Sequence, residues 1–212
     1  MRSFLEIYFV EIVRLTIEHL LIVIAAVGTA IAAGVPLGIY ATRRRRPGRL
    51  VLRLTDVVQT IPSLALFGLL IPIPFIGGIG ARTAIIALIL YSLLPIVRNT
   101  VVGIDRVDPF VRETALALGM TPRQMLFGVE IPLALPAIVA GIRIAMVVGI
   151  GVATIAAAIG GGGLGTLIFR GVAMVDTRLM LAGALPAALL ALVADAVLSL
   201  VERRLARARG EE

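Results

Sequence analysis

The 212 residues are 59% hydrophobic and 16% charged, with a mean hydropathy of +1.06 and a formal net charge of +7. That apolar share exceeds the range of soluble domains and, at about 20 residues per crossing, leaves room for roughly four to six membrane helices and no second soluble domain. All 20 basic residues are arginine, cysteine is absent and His19 is the only histidine, which excludes a Walker A phosphate loop, a lysine Schiff base, a thiol nucleophile, a disulfide and a thiolate or histidine-rich metal site.

In chain order, residues 1–14 read as a short interfacial segment, with His19 near the same interface. Thr16 to Ala41 is an almost unbroken run of Leu, Ile, Val, Ala and Gly, about 39 Å as a helix and long enough to cross with some tilt. It ends at Arg43, Arg44, Arg45, Arg46, Pro47, Gly48 and Arg49, a basic turn with two helix breakers. The second apolar run, Leu50 to Ile73, closes on Pro72, Pro74, Gly77, Gly78 and Gly80, a turn-forming cluster. Span three covers Ala81 to Val97, a polar stretch runs from Arg98 to Glu130, span four covers Ile131 to Ile159, a glycine-rich link covers Gly160 to Arg178, and span five runs from Leu179 to Val201. Five spans put the termini on opposite sides. Placing the Arg43 turn, the Arg98–Arg123 stretch and the tail in the cytoplasm gathers about 14 arginines there against about five outside, so the N-terminus is expected outside and the C-terminus inside. The first run is too long for a cleaved signal sequence and is expected to be retained. Topology therefore accounts for the basic charge, and no nucleic-acid partner is expected.

Within the polar stretch, Asp108-Pro109 is an N-cap followed by proline, and Gly119 stands where that helix would end in a left-handed residue. Val107, Phe110, Val111, Thr114, Ala115 and Leu118 recur at helical spacing, which predicts an apolar face opposite Arg112 and Glu113. Thr121-Pro122-Arg123-Gln124 combines a capping box with proline, and this second short helix is expected to finish before Pro132. Two such helices form a protrusion larger than a simple connection needs. A passive amphipathic loop on the bilayer and a docking element for a cytoplasmic partner both fit.

The residues then raise a family. Glu113-Thr114-Ala115, Gly119 and Val129-Glu130-Ile131-Pro132 resemble, at matching spacing, the EAA loop of ABC-importer permeases. Thr114, Val129 and Ile131 depart from the pattern by small or volume-similar replacements. Gln59 to Leu66, Gly141-Ile142-Arg143 and Gly160 to Gly165 resemble the permease subunit of osmoprotectant importers for glycine betaine, carnitine or choline. The resemblance implies an importer in which two permease subunits, identical or related, form the pathway. Two cytoplasmic ATPases carrying ATP and Mg would dock on the EAA loops through Glu113, Thr114, Ala115, Gly119, Met120, Thr121 and Pro122. An extracytoplasmic binding protein would deliver the solute.

Gly160, Gly161, Gly162, Gly163 and Gly165 fit either a flexible outer connection or a gate in the outer half of the pathway. Arg143, Asp56 and Asp195 are candidate intramembrane charges; Arg143 either snorkels to the cytoplasmic headgroups or pairs with Asp195 or Asp56. Pro62, Pro72, Pro95 and Pro136 mark kinks or span ends. With no Trp and only Tyr8, Tyr40 and Tyr91 beside seven Phe, an aromatic cage for a quaternary ammonium is poorly provided, which places selectivity mainly in the binding protein. The expected molecule is an all-α integral membrane protein, one domain over residues 1–212, with about five spans in the cell membrane and a coupling helix between spans three and four. It holds no cofactor of its own and is not an enzyme. A permease for another small solute, such as an amino acid, and a membrane scaffold that transports nothing are the alternatives.

Overall fold

A computed structural model describes residues 4–207, and the described residues form helices and connecting turns only. The helices are α1 (Phe4–Arg43), α2 (Arg45–Thr60), α3 (Ser63–Leu70), α4 (Ala81–Asp105), α5 (Pro109–Ala117), α6 (Pro122–Met125), α7 (Ile131–Ala156), α8 (Gly165–Met174) and α9 (Thr177–Arg207). Among the described residues four apolar helices are long enough to cross a membrane, and the bent pair α2–α3 gives a fifth if it is one broken span and none if it is a re-entrant loop. The expectation of about five spans holds.

The core lies where α1, α4 and α7 meet. Ile22, Val23, Ala26, Val27 and Ala30 recur three to four residues apart on α1 and pack with Leu88 and Ile96 of α4 and Ala145, Ile150 and Ala153 of α7. Small residues let helices approach closely when lipid supplies no hydrophobic drive between them. Gly141 shows how closely: a β-carbon there would stand 2.6 Å from the Pro95 carbonyl oxygen on α4. The opposite faces carry exposed Ile17, Leu21 and Ile24 on α1 and Leu185, Leu189 and Leu192 on α9, as a bilayer solvent requires.

Four expectations are corrected. Residues 4–14 are not a separate interfacial segment but the first turns of a continuous 40-residue α1, with Tyr8, Ile12 and Leu15 packed on Leu164, Leu167 and Leu179; Met1–Ser3 lie outside the described residues. Span two is not one run: Arg46–Thr60 and Ser63–Leu70 meet at 102°, because Pro62 cannot donate a backbone hydrogen bond and disfavours helix at Ile61. Span three continues as helix to Asp105. Finally, the glycine-rich link contains the ten-residue helix α8, too short an apolar run to read as a crossing.

Side chains tie the α2–α3 break to α4 in both directions. The Tyr91 hydroxyl donates to the Ile61 carbonyl, and Gln59 Nε2 donates to the Tyr91 carbonyl at 2.9 Å. Irregular backbone at membrane depth is tolerated where such partners or a water-filled cavity receive it.

The arginine-rich segments converge at one end of the bundle. Arg43 and Arg112 both meet Glu130, and Arg106, Asp108, Glu202 and Arg203 line one cavity of about 610 Å³. At the other end the Gly77–Gly80 turn meets the end of span four, where the Gly80 amide donates to the Ile159 carbonyl at 2.8 Å.

Candidate functional site

The α5 region is built by its caps. Asp108 Oδ1 accepts from the Phe110 amide at 2.8 Å, with Pro109 in the first turn. At the far end, Gly119 has φ +78°. The Met120 amide donates to the Ala115 carbonyl and the Gly119 amide to the Leu116 carbonyl, at 3.1 and 2.9 Å, the paired bonds of a Schellman stop. Only a residue tolerant of left-handed backbone closes the helix there without strain. Thr121 then opens α6 with the capping box: its Oγ1 accepts from the Gln124 amide at 3.3 Å, and Gln124 Oε1 accepts from the Thr121 amide at 2.8 Å.

Contrary to expectation, the second short helix does not finish before Pro132. Residues Leu126–Glu130 form one π turn, in which the Ile131 amide bonds back to the Leu126 carbonyl, and the chain runs on into α7. The widened turn absorbs the donor that Pro132 lacks. It also sets Glu130 beneath the bundle, 1% exposed.

The buried face of α5 also differs from the predicted stripe. Of that stripe, only Val107 and Ala115 are buried; Phe110 is 72% and Leu118 78% exposed, with Leu116 and Phe127 also exposed. The Thr114 hydroxyl is spent on the Phe110 carbonyl at 2.8 Å. Of the residues expected from the sequence to couple, Glu113, Thr114, Gly119, Thr121 and Pro122 are exposed, Met120 is half-buried and Ala115 is buried.

Behind it stands a cluster that sequence reasoning missed. The Glu130 carboxylate accepts from both Nη groups of Arg43, the last residue of α1, and forms an ion pair with Arg112 of α5, whose Nε stands 3.2 Å from Oε1 without the geometry of a hydrogen bond. Arg112 Nη2 also donates to the Ile104 carbonyl in the last turn of α4. Neighbouring positions announce each residue singly, Arg43 as the start of a basic turn and Glu130 as part of the loop pattern, but nothing in their spacing joins positions 87 residues apart.

At the other end, Gly160, Gly162 and Gly163 adopt φ of +73°, +80° and +71°, and Gly161, Gly163 and Gly165 are buried. A β-carbon on Gly162 would meet Glu18 Oε1 at 2.1 Å, one on Gly163 would meet His19 Nδ1 at 2.9 Å, and one on Gly165 would meet the Thr154 carbonyl at 1.9 Å. His19 Nε2 in turn donates to the Ile150 carbonyl at 3.1 Å, so the lone histidine is a buried tie between α1 and α7.

The three intramembrane charges separate into two groups. Arg143 reaches Asp195 at 3.6 Å and Glu202 at 3.5 Å, both on α9, while Asp56 lies 3.7 Å from Arg98. Near that second pair, Gln59, Thr60, Pro62, Ser63, Arg98 and Asn99 line a cleft of about 490 Å³ at the α2–α3 break.

Comparison with known proteins extends this geometry. Residues 34–207 match the family described as binding-protein-dependent transport system inner membrane component. The chain is 51% identical over 183 residues to the osmoprotectant import permease protein OsmW of Salmonella typhimurium, covering 85% of each chain. It is 46% identical to the glycine betaine/carnitine/choline transport system permease protein OpuCD of Bacillus subtilis, over 89% of this chain and 81% of that one. Among solved structures, an inward-facing form of the MetNI methionine ABC transporter superposes with a TM-score of 0.85 at 21% identity, covering 97% of this chain and 99% of that one, a likeness of fold.

Proposed function

Because the chain belongs to the family of binding-protein-dependent transport system inner membrane components, a multi-pass ABC permease subunit and not an enzyme, we propose that it carries a small osmoprotectant such as glycine betaine, carnitine or choline. The cargo reading rests on relatives whose names state those solutes, at 42–51% identity over most of the chain. The mechanism rests on one observation: α5 holds Phe110, Leu116 and Leu118 out from the bundle around Glu113 while Ala115 and Arg112 anchor it from behind. An exposed apolar surface with a charged member is the signature of a protein interface. Its partner in this reading is a cytoplasmic ATPase, which binds ATP and Mg and lies against Glu113, Thr114, Ala115, Gly119, Met120, Thr121 and Pro122.

In this arrangement two permease subunits enclose the pathway and an extracytoplasmic binding protein delivers solute to it. Closure of the ATPase pair displaces the two α5 surfaces, and rigid-body motion of the attached helices changes which side of the membrane the cavity faces. The arginine-rich end is cytoplasmic by the positive-inside rule. The Gly160–Gly165 turn serves as a rigid seam of the outer half, held by Glu18 and His19, rather than as a flexible link. Arg143, Asp195 and Glu202 make a structural link between α7 and α9.

The test is ATP-driven uptake of radiolabelled glycine betaine into proteoliposomes holding this chain, its ATPase and its binding protein, with choline, carnitine and methionine as competitors. Uptake blocked by the betaine-like solutes and untouched by methionine is the expected result. Uptake blocked by methionine instead transfers the cargo to amino acids. An ATPase that does not copurify with the chain removes the docking reading.

A further inference from the structure

We infer that Glu130 is a positioning residue that ties the coupling helix to α1, so that displacement of α5 reaches a membrane helix to which no short chain connection leads. The inference rests on the reading of α5 as the ATPase-docking surface. Through the chain alone, α5 is joined to α4 by Arg106–Asp108 and to α6–α7 by Leu118–Thr121. No covalent route of comparable length leads from α5 to α1, whose last residue, Arg43, is 69 positions upstream of Arg112. The Glu130 carboxylate closes that gap by holding Arg43 and Arg112 at once.

Three features make the joint stiff. Arg43 engages both carboxylate oxygens, a bidentate geometry that fixes orientation as well as distance. Glu130 is 1% exposed, so its carboxylate depends on Arg43 and Arg112 in place of water. The π turn immediately before α7 roots the carboxylate in the backbone of a membrane helix instead of a loop, and π turns inside helices recur at functional sites. Arg112 spends its remaining reach on the Ile104 carbonyl at the end of α4. Without the carboxylate, the two guanidinium groups would face each other unneutralised, and α5 would be released from α1.

The measurement is the number of betaine molecules imported per ATP hydrolysed, in the full reconstituted complex stimulated by binding protein. Glu130→Gln keeps the shape and removes the charge; Arg43→Gln removes the more exposed arm, whose side chain is 43% accessible. Both variants are expected to copurify with the ATPase and to keep stimulated hydrolysis. Their import per ATP should drop by about fivefold or more, the lower end of the range for coupling between sites. Glu130→Asp should recover part of the ratio. The double variant Arg43→Gln with Glu130→Gln should fall no further than Glu130→Gln alone, since both remove one link. Import per ATP unchanged in Arg43→Gln and Glu130→Gln overturns the inference. If Glu130→Gln does not assemble, Arg43→Gln decides alone. Loss of ATPase copurification by the unaltered chain instead defeats the docking reading and is scored separately.

Discussion

The two short connections at opposite ends of span four are both turned by glycines in left-handed conformation, yet they are built for different tasks. At Gly119 the space around the α-carbon is open, with nothing within 4 Å of a β-carbon placed there, while the equivalent atom on Gly163 would stand 2.9 Å from His19 and that on Gly165 1.9 Å from the Thr154 carbonyl. One turn presents Leu118 and Phe110 outward; the other presses its backbone into α1 and α7. Gly119 is required only for φ, at a helix stop on an exposed surface, whereas Gly163 is required for φ and for space, at a seam inside the molecule.

Substitution at the seam should have the largest effect. Gly163→Leu combines a left-handed penalty of about 1–3 kcal/mol with a collision against His19, and the expected outcome is loss of folded protein by detergent size-exclusion chromatography. This departs from the gate reading, in which bulky residues at Gly162 and Gly163 impair uptake but spare assembly; folded, non-transporting Gly163→Leu would restore the gate. His19→Ala removes the α1–α7 hydrogen bond and leaves a cavity, costing about 2 kcal/mol, read as a lower melting temperature of the purified chain. At the surface the sign of the comparison reverses. Leu118→Glu should leave the melting temperature unchanged and abolish ATPase copurification, and Gly119→Val should insert normally, cost about 1–2 kcal/mol for its φ, and weaken the same copurification.

Much of the surface loop is legible in the amino-acid sequence, because its signals are local. Asp108-Pro109, Gly119 and the Thr121–Gln124 box each act on backbone groups within about five residues, and all three appear as the sequence predicts. Apolar length likewise locates the spans. Three features are not legible for a common reason: they depend on residues remote in the chain. The apolar stripe of α5 is exposed except at Val107 and Ala115, since periodicity shows which residues share a side and not which side is covered. The break at Pro62 is visible as a proline, but the Tyr91 hydroxyl that meets the Ile61 carbonyl there comes from 30 residues away. The Arg43–Glu130–Arg112 cluster exists only once α1, α5 and α7 are brought together.

The smallest effect belongs to the charges within the membrane helices, where the sequence leaves two partners open. Arg143 lies beside Asp195 and Glu202, and Asp56 beside Arg98. Arg143→Ala should therefore cost up to about 1 kcal/mol, as a partly exposed pair does. Asp195→Asn should relieve that cost in the double variant and Asp56→Asn should not. Equal relief by both would return Arg143 to an unpaired, snorkelling role.

The difference between the two ends can be read in a single experiment, since the chain has no cysteine and one introduced thiol is unique. Leu118→Cys at the arginine-rich end and Phe75→Cys at the other, 78% and 92% exposed in the parent residues, can each carry a photoreactive maleimide in the complex assembled with ATPase and binding protein. The α5 reading predicts crosslinking of the ATPase from position 118 and none from position 75. Crosslinking from position 75, or its absence at position 118 in a complex that hydrolyses ATP, would contradict it.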